Sequence, residues 1–406
     1  MTERLYYNDS ALLQFDATVS SVNPRGDHVL VCLDRSAFYP TSGGQNFDIG
    51  FLELDGNRAR VTEVHEDEQT GEVFHMVELP ADWLQPGALV RGTIDVNRRR
   101  DHMQQHSGQH VLSAAFERLS GLATVSFHMG DDYCSIDLAT DKLSAQQVQE
   151  AERLANEVVG EDRPVKIRYA TAEEARTVGV RKIPAVVPEK LRLIDIREFD
   201  LNACGGTHVG STGQIGGVLL RRTEKVKQGM RVEFVCGLRA VSTARRDFQT
   251  LTEAAAVFSI HIWQVPRQAR KSLDEIKVSQ KAQQKLLEEI AGLHAATLVR
   301  EADQRPSGYK LVAKFYAERD LNFIKLLAQK LIRLDRVTAL LACGGAQHSL
   351  VFAQTPGLVN DMGALMKQIL QKFGTRGGGN RDLAQGGAPD GARAEEAIRD
   401  AASAIG

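Results

Sequence analysis

Three histidines stand at four-residue intervals in the stretch RDHMQQHSGQHVLS: His102, His106 and His110. On a helix, residues four apart project from one face about a turn apart, which places His106 and His110 to share a cation through their imidazole nitrogens. A second pair lies far along the chain in NACGGTHVGSTGQIGG, where Cys204 precedes His208 by four residues with Gly205 and Gly206 between them. The two glycines let a loop curl tightly enough to present both side chains. Taken singly, the first pair is weak evidence for a metal and the second reads as well as an ordinary turn with a buried cysteine. Taken together, the imidazoles and the thiolate form the donor set that suits a tetrahedral zinc ion.

The same residues exclude two kinds of zinc protein. A metalloprotease helix needs a glutamate directly after its first histidine as general base, whereas Ser107 follows His106 and no carboxylate occurs from Met103 to Gln109. A zinc finger pairs two close cysteines with two histidines about a dozen residues later, and here the pairs are far apart.

The elements that must position these residues follow from the hydrophobic pattern. Residues 14–96 are β-rich: ATVSSV, HVLVCL, ARVTEVH and EVFHMVEL alternate or run apolar between Gly, Pro, Asn and Asp turns. Residues 102–119 have helical periodicity, with Gly121 as the stop. Strand-like TVSFHMG and CSIDLAT, a helix after Asp141, and strands at VKIRYA and VEFVCG complete an α+β region. The pattern then turns helical and charged to about Ala302, broken near Trp263 to Pro266, and after Pro306 an α/β alternation ends in the glycine-dense KFGTRGGGNRDLAQGGAPDG, read as a loop, and an Ala-rich helix. The fold class expected is therefore α+β, in four segments: a small β-barrel-like unit at 1–97, an α+β zinc-containing domain at 98–237, a helical linker or coiled coil at 238–305 and a C-terminal α/β domain at 306–406. At 406 residues and 43% hydrophobic, the chain has ample apolar content for more than one core. A formal net charge of -2 restricts any nucleic-acid face to local basic clusters. Five scattered cysteines fit a reducing compartment, and the lack of a leader or a membrane-length apolar run predicts a soluble, cytoplasmic protein.

In combination, FYPTSGGQ (Phe38 to Gln45), HSGQH (His106 to His110), SFHMG (Ser126 to Gly130), CGGTHVGSTGQIG (Cys204 to Gly216) and GGGNRDLAQGG (Gly377 to Gly387) resemble the long form of the AlaX family, freestanding relatives of the editing and C-terminal regions of alanyl-tRNA synthetase. The resemblance covers essentially the whole chain, and the last motif resembles the signature of the DHH-associated domain. It implies deacylation of tRNA(Ala) mischarged chiefly with serine, and secondarily with glycine, by zinc-assisted hydrolysis, with the C-terminal domain binding tRNA. A non-catalytic, zinc-stabilised tRNA-binding protein is the alternative. The synthetase has an aminoacylation core ahead of its editing region, and this sequence opens on the β-rich unit, so activation of alanine is expected to be absent. The phosphodiesterases that share the C-terminal domain need an Asp-His-His motif, and the chain offers only Asp101, His102 and Met103.

By resemblance, His106, His110, Cys204 and His208 hold Zn2+, either as a closed four-ligand site or with His208 loose and one position open. The family's pocket threonine, two residues before the Phe-Tyr pair, corresponds to Ser36, which keeps the hydroxyl and drops the methyl. Gln45 is a candidate for orienting substrate, with Gly43 and Gly44 allowing close backbone approach. His128 is expected to line the pocket or support a ligand, or to be structural, and Arg231 resembles an arginine near the editing cleft. Arg99 and Arg100 are candidates for tRNA phosphate contact, and His102 for the protein surface. In the C-terminal loop, Gly377, Gly378 and Gly379 with Arg376 and Arg381 are expected to meet the tRNA backbone or a second copy in a homodimer.

Overall fold

Period-two alternation closes the N-terminal strands into a barrel, most plainly where Val73, His75 and Val77 are buried and the residues between them are not. The computed structural model describes residues 1–67, 69–182, 190–227, 229–344 and 347–405. The first elements are β1 (Glu3–Arg4), β2 (Gln14–Arg25), β3 (His28–Leu33), β4 (Arg35–Ser36), β5 (Gly50–Leu54), β6 (Asn57–Glu66), β7 (Val73–Glu78) and β8 (Leu89–Ile94). Six of them form the closed barrel β2-β3-β7-β6-β5-β8, and β1 pairs in parallel with β4. Val31, Leu33, Leu52, Val61, Val64 and Val77 fill its interior.

Helix α1 (Val96–Ser120) leaves the barrel directly. Asp95 caps it by accepting from the Arg98 N–H, and Gly121 ends it in the left-handed conformation at φ 66°. Every residue from Gln104 to Phe116 is buried, so the helix is enclosed all round rather than on one stripe. Gly108 shows how close the packing is, since a Cβ there would collide with the Cys236 sulfur.

Around α1 lie β9 (Thr124–Met129), β10 (Cys134–Leu138), α2 (Ala145–Gly160), β11 (Val165–Ala170), α3 (Ala172–Thr177), β12 (Leu191–Ile196), β13 (Asp200–Ala203), β14 (Val218–Val226), β15 (Gly229–Cys236) and α4 (Gly237–Val257). They make an antiparallel sheet β14-β15-β10-β9 and a smaller one, β11-β12-β13. Val111, Leu112 and Phe116 of α1 share a core with Ile136, Leu138, Val232 and Phe234 of the larger sheet and with α2.

Two compact units divide the chain, Met1–Glu253 and Ala254–Gly406. The second holds α5 (Val265–Glu301), β16 (Lys310–Tyr316), α6 (Leu321–Leu331), β17 (Val337–Cys343), β18 (Ser349–Gln354), α7 (Met362–Gln371), β19 (Gly377–Gly379), β20 (Leu383–Gly387) and α8 (Gly391–Ala404). Its mixed sheet runs β16-β17-β18-β20-β19. The end of α5 packs with α6 on one core through Ala291, Ala295 and Leu298, and α7 and α8 share another. The mixed α+β class and the barrel are as the sequence pattern indicates. The glycine-dense stretch is not: Gly377, Gly378 and Gly379 form an edge strand paired with Gly386, Gln385 and Ala384. Glycine is needed because a Cβ at Gly377 or Gly379 would strike Leu370 or the Leu383 carbonyl. Arg376 and Arg381 flank the strand and are exposed.

Arg99 is a second correction. It faces no phosphate; it is wholly buried and locks α1 onto the barrel. Its guanidinium donates to Asp48 Oδ2 at 2.5 Å, the Ser10 carbonyl at 2.8 Å and the Ala37 carbonyl at 2.5 Å. The Tyr39 N–H gives Asp48 a further bond at 2.7 Å. Arg100 is exposed. His102, expected at the surface, is also buried, and burial beside Arg98 pushes its pKa down to about 4. Both follow from the enclosure of α1 on all sides. Arg99→Met leaves the Asp48 carboxylate buried without its partner and should cost roughly 3–5 kcal/mol. Arg100→Met should change stability by less than about 0.5 kcal/mol. Urea denaturation of the two variants checks the difference, and equal effects would contradict the buried lock.

Candidate metal centre

The helix α1 and the loop after β13 bring His106, His110, Cys204 and His208 together, with one donor atom from each within 4.8 Å of all the others. Cys204 Sγ lies 3.3 Å from His106 Nε2 and 3.4 Å from His208 Nε2. Zinc bonds of about 2.3 Å to sulfur and about 2.0–2.1 Å to nitrogen in a tetrahedron separate neighbouring donors by roughly 3.5 Å, so these spacings suit the ion.

Each imidazole uses its other nitrogen outward. His106 Nδ1 meets Gln45 Oε1 at 2.7 Å, His110 Nδ1 meets Asp200 Oδ2 at 3.1 Å, and His208 Nδ1 meets Ser107 Oγ at 3.2 Å. A donor Nδ1–H in each bond leaves the Nε2 lone pair turned inward, the arrangement seen behind metal-binding histidines. Further bonds fix these supports. Thr207 donates its N–H to Gln45 Oε1 at 3.0 Å, and Gln45 Nε2 donates to Thr207 Oγ1 at 2.8 Å. Arg181 Nε donates to Asp200 at 2.7 Å.

The electrostatics favour a thiolate. Burial opposes charge on Cys204, yet His106 and His208 outweigh it and hold the thiol well below its ordinary range. Burial likewise opposes charge on His110, but Asp200 and Cys204 raise it to about 9. For His208 burial dominates and lowers it to about 3. A set containing one ready thiolate and one imidazole that resists protonation suits a divalent metal.

The donors border a cleft of about 350 Å³ lined by His106, His110 and Cys204 with Gln109, Thr124, Ser126, Phe127, Arg181, Lys182 and Asn202. No carboxylate is among its described lining residues, and two cations are.

Other expected site residues fall elsewhere. Ser36 has no exposure; its hydroxyl bonds His75 Nε2 at 2.8 Å and accepts the Phe38 N–H at 3.1 Å, so it does not line the cleft. Gln45 is fully buried behind His106, where its Oε1 meets the His106 ring, and it has no surface to offer substrate. His128 is exposed, 4.0 Å from Asp137, because its strand turns Phe127 toward His106 and His128 away. Arg231 is bound to Asp137 at 2.8 Å and reaches the cleft only through Ser126, which donates to that carboxylate at 2.8 Å. Gly205 and Gly206 do not have positive φ. Gly206 is required by space, since a Cβ would run into the His106 ring, whereas one at Gly205 would make ordinary contact with Tyr7 at 3.5 Å.

Sequence reading missed the supports Asp200, Ser107 and Thr207 and the rim cation Lys182. One signal was present: Asp200, Asn202 and Cys204 alternate along β13 and its end, so they share a face.

The barrel and the Cys-Gly-Gly-Thr-His loop each fall within a family of tRNA-synthetase domains. The family described as "tRNA synthetases class II (A)" matches residues 2–98, and that described as "Threonyl and Alanyl tRNA synthetase second additional domain" matches residues 191–232. An alanine–tRNA ligase of Pyrococcus abyssi is 33% identical over 407 residues, covering 98% of this chain and 43% of the ligase. One from Methanothrix thermoacetophila is 34% identical, covering 96% and 43%. The chain thus spans less than half the length of these ligases. The alanyl-tRNA editing protein AlaX-L of Pyrococcus horikoshii is 30% identical over 388 residues, covering 95% of this chain and 94% of that protein. The chain belongs to the AlaX-L family of alanyl-tRNA editing proteins. The C-Ala domain of Aquifex aeolicus alanyl-tRNA synthetase covers 24% of this chain and 87% of itself at 19% identity, with a TM-score of only 0.21. Among the described residues, no helix is long and apolar enough to cross a membrane.

Gly206→Ala should abolish stoichiometric zinc uptake while Gly205→Ala keeps it, measured by metal content after dialysis; equal uptake in both would contradict the close approach to His106. A second expectation concerns His75, which burial lowers from 6.5 to about 4. Between these values the unfolded chain binds the proton and the folded chain does not, so stability is full above pH 6.5 and falls as pH drops toward 4. The urea midpoint should follow that fall, and His75→Gln should flatten it.

Proposed function

We propose that the chain is a trans-editing hydrolase that removes chiefly serine, and secondarily glycine, from mischarged tRNA(Ala), with zinc held by His106, His110, Cys204 and His208. The observation that carries this reading is the set of four donors, each imidazole backed by its own hydrogen-bond partner, three of them at the wall of a small polar cleft with no carboxylate among its described lining residues. A zinc ion there would supply Lewis-acid polarisation of an ester oxygen and a more acidic water.

The protein's own residues supply the rest. Gln45, Asp200 and Ser107 fix the three rings. Thr124, Ser126 and Asn202 give the cleft hydrogen-bonding groups that a seryl hydroxyl can satisfy and an alanyl methyl cannot. A site built to bond a hydroxyl separates serine from alanine by as much as about 10⁴-fold; glycine also lacks the hydroxyl, differs from alanine by a methyl worth only about 1–3 kcal/mol, and is therefore the poorer substrate. Phe127, its ring 5.3 Å from that of His106, forms an apolar wall. Lys182 is exposed at the rim, where a cation favours RNA phosphate. In unit two, exposed Arg376 and Arg381 flank the glycine strand, and we assign this region, read as a DHH-associated domain, to tRNA binding or to a homodimer contact.

A second reading draws on the same four donors. Four protein ligands close a tetrahedral site, as in structural zinc, and would leave a tRNA-binding protein without turnover. Release of amino acid from seryl-, glycyl- and alanyl-tRNA(Ala), each with and without chelator, separates the two. Chelator-sensitive loss is expected, much faster for serine than for glycine and with alanine retained, and Cys204→Ala should reduce the rate at least about 100-fold. Tight tRNA binding with intact metal and no release would establish the second reading, and full activity in zinc-free protein would overturn the zinc mechanism.

A further inference from the structure

Arg192 is a buried cation without an ion-pair partner among the described residues. It lies on β12 at 8% exposure. Its side chain donates to backbone oxygens instead: Nε to Tyr7 at 2.9 Å, and Nη1 to Cys204 at 2.6 Å and Gly206 at 3.0 Å. Nη2 has no partner among the described residues, and the guanidinium carbon lies 5.5 Å from the Tyr7 ring centroid. Arginines are seldom buried this deeply without a carboxylate, because the desolvation cost needs compensation.

What Arg192 holds explains its place. The loop from Cys204 to His208 carries two of the four donors. Its far end is tied by Thr207 to Gln45, by the His208 N–H to Ser10 Oγ at 3.2 Å, and by the Val209 N–H to Ser107 Oγ at 3.1 Å. Its near end has Arg192 twice, since the Cys204 N–H donates to the Arg192 carbonyl at 3.1 Å while the side chain grips the Cys204 and Gly206 carbonyls.

We propose that Arg192 is a positioning residue for the metal centre: its fork fixes the Cys204–Gly206 backbone so that the Cys204 sulfur faces His106 and His208. This rests on the metal reading of the site given above. A planar fork that bridges Tyr7, Cys204 and Gly206 at once is beyond a lysine, whose single nitrogen keeps only the charge.

The test is zinc affinity of the full chain by competition with a chromophoric chelator, together with the thiolate-to-metal absorption of the Co2+ form, for Arg192→Lys and Arg192→Met. Zinc affinity should fall about 10–100-fold in Arg192→Met, with Arg192→Lys recovering only a small part, and the cobalt band should weaken or move. Circular dichroism establishes that each variant is folded, and if Arg192→Met does not fold, Arg192→Lys decides. Wild-type affinity and spectrum in folded Arg192→Lys overturn the fork's role. Failure of the wild-type chain to take up zinc would remove the metal reading itself, an outcome distinct from tight wild-type binding with unchanged variants.

Discussion

The buried pair of Arg99 and Asp48 is the constraint on which the rest of the first unit depends. Both side chains have no exposure, and the guanidinium reaches two backbone carbonyls as well as the carboxylate. Charges taken wholly out of water are tolerated only in a fixed geometry with every donor satisfied. That requirement sets where α1 leaves the barrel, and α1 carries His106 and His110. The barrel also supplies Gln45, so the angle of the helix decides whether a buried amide meets the His106 ring.

From this anchor the centre is assembled by contributions distant in sequence. Asp200 arrives on a short strand and is held by Arg181; Ser107 lies on α1 itself and serves a histidine from the opposite loop. The three imidazoles are therefore oriented by three different chemistries, an amide, a carboxylate and a hydroxyl. Asp200 makes His110 the most basic of the shifted rings and burial makes His208 the least, although both face one thiolate. The adjoining cleft has hydroxyl, amide and cationic groups and no carboxylate among its described lining residues.

Membership of the AlaX-L family agrees with this architecture, and the match to the alanine–tRNA ligases covers nearly all of the chain. The glycines illustrate how one residue type serves different needs. Gly206 makes room for a histidine, Gly108 for a sulfur, and Gly377 and Gly379 for neighbouring strand and helix atoms. None of these four has positive φ, so a turn explanation based on composition alone misplaces their role.

Much of the fold and the four donors were legible in the sequence. Periodicity located most of the barrel strands, the long helix α1 and the principal elements of the second unit, because period and turn chemistry are local properties. The two His/Cys pairs that come together were legible because a four-residue spacing is also local. Ser36, Gln45, Arg99, His102 and His128 were misjudged because their roles depend on which side of an element faces a neighbour hundreds of atoms away along the chain. A polar residue near a motif reads as functional surface. Burial turned Arg99 into an anchor and Gln45 into a support, sealed Ser36 and His102 inside, and left His128 in solvent. The sequence by itself determined the donor types and the elements that carry them; only the tertiary structure decided which polar groups stand behind those donors, because desolvation and hydrogen-bond satisfaction are set by packing rather than by spacing.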